Sequence, residues 1–191
     1  MELIDTIKKD LKETLSERRY IHSIGVMEMC AKLAQIYGVD VQKAQIAGIL
    51  HDIAKEMPKE EMFKYVEENN IEITEIEKIS YQILHGKIGA DIAKKKYGLD
   101  EQIQNAIKYH TTTSPEMDTL AKIVYVSDKI EMNRKLEGYD LEYERELAQK
   151  DLDKTVLYII DASIKSLVEK GKLIEKEVDT RNYLILKNLK V

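Results

Sequence analysis

The chain has one cysteine, two prolines, one phenylalanine and no tryptophan in 191 residues. Cys30 alone cannot form an internal disulfide, which excludes a disulfide-stapled scaffold and fits a reducing compartment. With prolines only at 58 and 115 and eight glycines in all, little interrupts a helix. Repeats and low-complexity tracts are absent. No apolar run approaches the ~20 residues a membrane helix needs. The stretch MELIDTIKKDLKETL alternates apolar and charged residues and lacks the apolar core of a signal peptide. A cytoplasmic protein is therefore expected. Positive charge is also short: 30 Lys and Arg against 35 Asp and Glu leave a net charge of −5. The dominating basic patch of a protein that grips long nucleic acid is missing.

What is present is 43% hydrophobic and 34% charged, enough to bury a core within a single domain. Apolar residues recur at helical spacing almost throughout. The pattern predicts helices over 1–15 and 17–37, the second stopped by Gly38. Asp40 caps a third, expected to run to about Met57. Pro58 opens a charged helix from its first turn, and Thr74 with Glu77 matches a capping box. A helix carrying HGKIGADIAKKKYG ends at Gly98, and DEQIQNAIKYH follows. Ser114 and Pro115 mark the start of another, and a last long helix covers 152–170. The tail TRNYLILKNLK is ambiguous. The fold class is all-α. One domain is expected over 1–191, with 135–191 as a C-terminal helical extension packed on it.

The stretch GILHDIAKEMP, residues 48–58, sets His51 and Asp52 side by side among apolar residues. The four histidines of the chain are His22, His51, His85 and His110. Each aligns with apolar residues of its own helix, as Asp128 does with Val124 and Ala121. Five helices thus each point an ionisable residue inward. A lone histidine on such a face is usually a hydrogen-bonded core residue. Buried carboxylates ask for more, because an unpaired buried charge costs several kcal/mol. Asp52 and Asp128 have no arginine or lysine obviously placed to serve both, and a divalent cation serves both at once. His22, His51, Asp52 and Asp128 balance a dication. Their mixed N and O donors suit iron, manganese or zinc better than magnesium or calcium. His51 and Asp52 project ~100° apart on a helix, so one ion reaches both only if it lies close to that helix.

YIHSIGV, GILHDIAKEMP, ILHGKIGADIA, AIKYHTT and KIVYVSDKIEMNR occur in this order over residues 18–134. Together they resemble the HD-domain metal-dependent phosphohydrolases, specifically the YqeK family. The resemblance implies an all-helical fold, with metal at His22, His51, Asp52 and Asp128. It also implies symmetrical hydrolysis of bis(5′-nucleosyl) tetraphosphates, typically diadenosine tetraphosphate to two ADP. Iron is the metal most associated with the family; manganese, cobalt and zinc are compatible.

Carried over residue by residue, His85 and His110 face the phosphates or help hold a second metal. Lys55 meets phosphate oxygens one turn after Asp52, with a solvated lysine as the alternative. Asp52 or Asp128 accepts a proton from water. Gly25 lets a nucleotide approach its helix, with plain helix packing as the alternative. Thr111 sits at the pocket rim. Arg134 matches the arginine that ends the Asp128 motif and suits bidentate phosphate contact. Arg181 and Asn182 match an Arg–Asn element. Two departures stand out: Met132 and Asn133 replace the usual proline or glycine before Arg134, and Thr180 adjoins Arg181 directly. The lysines of AKKKYG read as a solvated helix end.

Other classes stay open: another HD phosphohydrolase such as a 5′-nucleotidase, a cyclic-nucleotide phosphodiesterase, or a catalytically silent nucleotide-binding module. EGYD at 137–140 is not the Gly-Tyr-Pro signature of the cyclic-di-GMP enzymes. The expected partner is a small nucleotide, not a nucleic acid polymer or a membrane. A homodimer stays open, since neither a heptad seam nor an apolar patch decides it.

Overall fold

Short polar side chains start most of the helices. After α1 (Glu2–Thr14), the Ser16 hydroxyl accepts from the Arg19 amide and begins α2 (Glu17–Tyr37). Asp40 does the same for α3 (Val41–Leu50). α4 (Lys59–Glu68) follows Pro58, which stands at the cap rather than in the first turn. Thr74 and Glu77 close the expected capping box on α5 (Glu75–Ile79). A 3₁₀ turn, Tyr81–Ile83, leads into α6 (Leu84–Tyr97). Asp100 and Asp118 cap α7 (Glu101–Tyr109) and α8 (Thr119–Ile130). Asp140 and Asp151 cap α9 (Leu141–Lys150) and α10 (Leu152–Glu169), and α11 (Glu177–Leu189) is the last described element. Losing such a cap costs about 0.5–2 kcal/mol.

The computed structural model describes residues 2–134 and 140–189; no strand occurs among them, and no helix there is long and apolar enough to cross a membrane. The Gly-Tyr of EGYD lies outside the described residues. Gly38 and Gly98 stop their helices in the left-handed conformation, as their positions imply.

Two boundaries differ from the sequence pattern, and two helices are not legible in it. α3 stops at Leu50 rather than near Met57. From there the amides of Ile53, Lys55 and Met57 reach the carbonyls three residues back, at 3.0, 2.9 and 3.2 Å. This winding is close to three residues per turn, so His51 and Asp52 leave a series of tight turns rather than a regular helix. α8 begins at Thr119 because Asp118, not Ser114, supplies the cap. α9 escaped notice because it buries only Glu144 and Ala148. α11 carries an equally faint stripe, with Glu177, Thr180 and Leu184 buried and only the last of them apolar.

The core lies between α2, α3, α7 and α8, where Leu33, Ile49, Ile107 and Ile123 are fully buried. α10 covers α8 with Val156 and Ile160. Asp153 on α10 joins Lys122 of α8 and Lys187 of α11 at 2.6 and 2.7 Å. The lysines after Ala93 are a solvated helix end: Lys95 and Lys96 pair with Asp91 and Asp10.

Candidate metal centre

The five helices deliver their ionisable residues to one place. His22 lies within α2, His51 caps α3, His85 is the second residue of α6, His110 caps α7, and Asp128 lies in the last turn of α8. With Asp52, all are at most 8% exposed. Donor atoms of His22, His51 and Asp128 lie within 4.8 Å of one another, and so do those of His51, Asp52 and His110. The structure therefore brings the four expected ligands together and sets His110 beside Asp52.

Backbone chemistry decides how the rings face. His51, His85 and His110 place Nδ1 at 2.7, 2.5 and 2.6 Å from the carbonyls of Gly48, Gln82 and Ile107. A carbonyl only accepts, so each Nδ1 carries a proton, and each ring, when neutral, presents a bare Nε2 inward. His51 Nε2 is buried without a hydrogen-bond partner. Carboxylate oxygens of Asp52 and Asp128 lie 3.3 and 3.7 Å from it. Asp52 Oδ1 faces His85 and His110 Nε2 at 3.1 and 3.5 Å. A buried Nε2 aimed among carboxylate oxygens, holding a proton that a cation would displace, is what a metal ligand presents. These imidazole and carboxylate donors fit a divalent transition metal.

One expectation fails. Each carboxylate has its own protein cation: Arg19 meets Asp52 Oδ2 at 2.5 Å. Lys129 meets Asp128 Oδ2 at 2.8 Å, and Arg134 lies 3.7 Å from its Oδ1. The case for a metal thus rests on the converging imidazoles rather than on unpaired carboxylates. Burial would raise both carboxyls, but His51 at Asp52 and Lys129 at Asp128 outweigh it and hold them well below the usual range. Burial pushes His51 down, yet the two aspartates lift it to about 9. Burial prevails at His85, which falls, and at His110, which drops to about 4. Burial likewise lowers Lys55.

A cavity of about 270 Å³ opens onto the cluster, lined by Arg19, Lys55, Lys129, Arg134 and Thr111 together with His85 and His110. A second cavity, about 580 Å³, shares Arg19 and Arg134 with it and reaches His22 and Asn133. A third, about 940 Å³, is lined by residues of α6, α7 and the 71–74 segment together with Lys176, and by none of the six cluster residues. Arg134 reaches the site through a turn at Met132 and Asn133, its amide donating to the Glu131 carbonyl at 3.0 Å. Arg181 and Asn182 are not brought in. Arg181 pairs with Asp161 at 2.5 Å, and Asn182 is exposed; Thr180 instead bonds Thr113.

Sequence reasoning missed Arg19, Lys129 and Glu131. Glu131 is 2% exposed, and its Oε1 lies 3.2 Å from His22 Nδ1. The signal was there: Arg19 precedes His22 by three residues and Glu131 follows Asp128 by three, which puts each pair on one helix face.

The HD domain pattern matches residues 19–133. The symmetrical bis(5′-nucleosyl)-tetraphosphatase of Bacillus subtilis is 37% identical over 163 residues, 85% of this chain and 86% of that protein. The protein of the same description from Staphylococcus aureus is 35% identical, covering 94% of this chain and 93% of its own. A crystal structure of an HD superfamily hydrolase from Clostridium acetobutylicum, described as involved in NAD metabolism, superposes with a TM-score of 0.91 at 39% identity. It covers 96% of this chain and 97% of its own. The chain belongs to the HD domain family and, within it, to the family of the symmetrical bis(5′-nucleosyl)-tetraphosphatases.

Proposed function

We propose that the chain hydrolyses dinucleoside tetraphosphates symmetrically, releasing two ADP from diadenosine tetraphosphate. The observation that carries this reading is one cavity lined by both kinds of group the reaction needs. Inward imidazole and carboxylate donors stand beside Arg19, Lys55, Lys129 and Arg134. His22, His51, Asp52 and Asp128 would hold a divalent ion, iron by family resemblance; manganese, cobalt and zinc suit the same donors. Such an ion would supply Lewis acidity and a water of lowered pKa. Lys55 and Arg134, helped by Arg19 and Lys129, face the charge that develops on the phosphoryl oxygens. Asp52, ionised and within reach of His85 and His110, takes the proton of the attacking water. The adjoining cavity has room for a nucleoside. Residues 135–191 complete the same domain as an extension rather than forming a second one, and buried Cys30 suits a cytoplasmic setting.

The relatives named as symmetrical tetraphosphatases support the substrate class. The test is to offer the protein, with Fe²⁺ or Mn²⁺, dinucleoside polyphosphates, mononucleotides and cyclic nucleotides, and to resolve the products by chromatography. ADP alone from diadenosine tetraphosphate is expected. Equal ATP and AMP would refute the symmetrical cut. Turnover of mononucleotides or cyclic nucleotides only would point to another HD hydrolase, and no turnover to a silent module.

A further inference from the structure

Three of the four histidines need no outside help to present Nε2. His51 and His110 cap their helices, and His85 follows a 3₁₀ turn, so a carbonyl three residues back is free to take the Nδ1 proton. His22 sits inside α2, where that carbonyl is committed to the helix ladder. Its Nδ1 must find an acceptor elsewhere.

We infer that Glu131 is the positioning residue that orients His22 as a metal ligand, and that residue 25 is glycine to make room for the Glu131 carboxylate. The inference rests on the metal centre proposed above. Glu131 Oε1 faces His22 Nδ1 at 3.2 Å, on the far side of the ring from Asp128, whose Oδ1 meets Nε2 at 3.0 Å. A carboxylate fixes the proton on Nδ1 and leaves the Nε2 lone pair for the ion.

Glu131 is itself held. Its Oε2 accepts from the Asn133 amide at 2.6 Å. Arg145 of α9 donates to the carbonyls of Ile130 and Glu131 at 2.8 and 2.9 Å. Gly25 lies on α2 three residues after His22. A Cβ there would overlap Glu131 Oε2 and come 3.1 Å from Asn133 Nδ2. The space beside Gly25 belongs to a protein carboxylate, which replaces close nucleotide approach as the reason for the glycine.

Mn²⁺ affinity, measured by competition with a chelator, tests this on Glu131→Ala, Glu131→Gln, Gly25→Ala and the Gly25→Ala/Glu131→Ala double variant, with circular dichroism as the check on folding. Glu131→Ala should bind Mn²⁺ about 10–100-fold more weakly. Glu131→Gln, which keeps an oxygen facing Nδ1 only by turning its NH2 toward the Asn133 amide, should recover part of that loss. Gly25→Ala should weaken binding as Glu131→Ala does, and the double variant should be no worse than Glu131→Ala. ¹⁵N NMR of the metal-free protein should show His22 protonated on Nδ1 in the wild type and redistributed in Glu131→Ala. Should Glu131→Ala fail to fold, Glu131→Gln and Gly25→Ala carry the comparison.

Wild-type Mn²⁺ affinity and tautomer in Glu131→Ala would overturn the inference and leave the metal centre standing. So would a Gly25→Ala variant that raises KM at unchanged Mn²⁺ affinity. A wild type that takes up no Mn²⁺ would overturn the centre and this inference with it.

Discussion

His85 Nε2 lies 3.0 Å from His110 Nε2, and both rings spend their proton on a backbone carbonyl at Nδ1. Two bare lone pairs therefore face each other, with Asp52 Oδ1 beside them and the Lys55 ammonium 3.4 Å from His85. Such a crowd of acceptors is favourable only around a cation. His85→Ala and His110→Ala should keep the ion held by His22, His51, Asp52 and Asp128 but lose at least ~10-fold in turnover, since each ring, once Nε2 takes a proton, can donate to the reacting phosphates. Metal content and kcat measured on the same preparations decide it. Depletion as deep as in His51→Ala would move both residues into the ligand set.

Lys55→Ala and Arg134→Ala should leave the metal bound and slow hydrolysis on the order of 10²-fold, because each removes charge aimed at the transition state. His22→Ala and His51→Ala should instead purify with little metal. If Arg134→Ala loses its metal while His51→Ala keeps it, the division between ion ligands and phosphate contacts is wrong.

Asp153 ties three helices through Lys122 and Lys187. Burial would raise its carboxyl, but the two ammonium groups outweigh this and hold it below its ordinary value of 3.8. A lowered folded pKa means stability that is full above the unfolded pKa and lost as pH falls through the folded one. Asp153→Asn should cost about 0.5–1 kcal/mol at pH 7, discounted for partial exposure, in denaturant unfolding. The gap to wild type should narrow as pH falls below 3.8 and through the lowered folded pKa. A gap that persists there would trace the loss to packing rather than charge.

Cys30 is fully buried, and burial, with Asp128 nearby, pushes its thiol up to about 12. The thiolate is the reactive form, so the native protein should resist a thiol reagent at pH 8 and react fully once unfolded. Rapid stoichiometric labelling of the folded chain would contradict the placement.

Periodicity alone determined the helical class and which faces of α2, α6, α7 and α8 point inward, because those stripes are broad and their polar exceptions few. The order of the His and Asp motifs marked the centre for the same reason: a buried imidazole or carboxylate stands out against leucine and isoleucine. α9 and α11 were not legible, since each buries too little to leave a stripe. The end of α3 was not legible either, because the tight turns after Leu50 keep nearly the apolar spacing of a helix. The cations of the site belong to the tertiary structure. Arg19, Lys129 and Arg134 look like ordinary surface residues until the packing of α2 and α8 sets them against Asp52 and Asp128. The reason for Gly25 is of the same kind. Three residues from His22 it reads as a place for a nucleotide or for plain helix packing, and only the turn that ends α8 brings the Glu131 carboxylate against the position a Cβ would take.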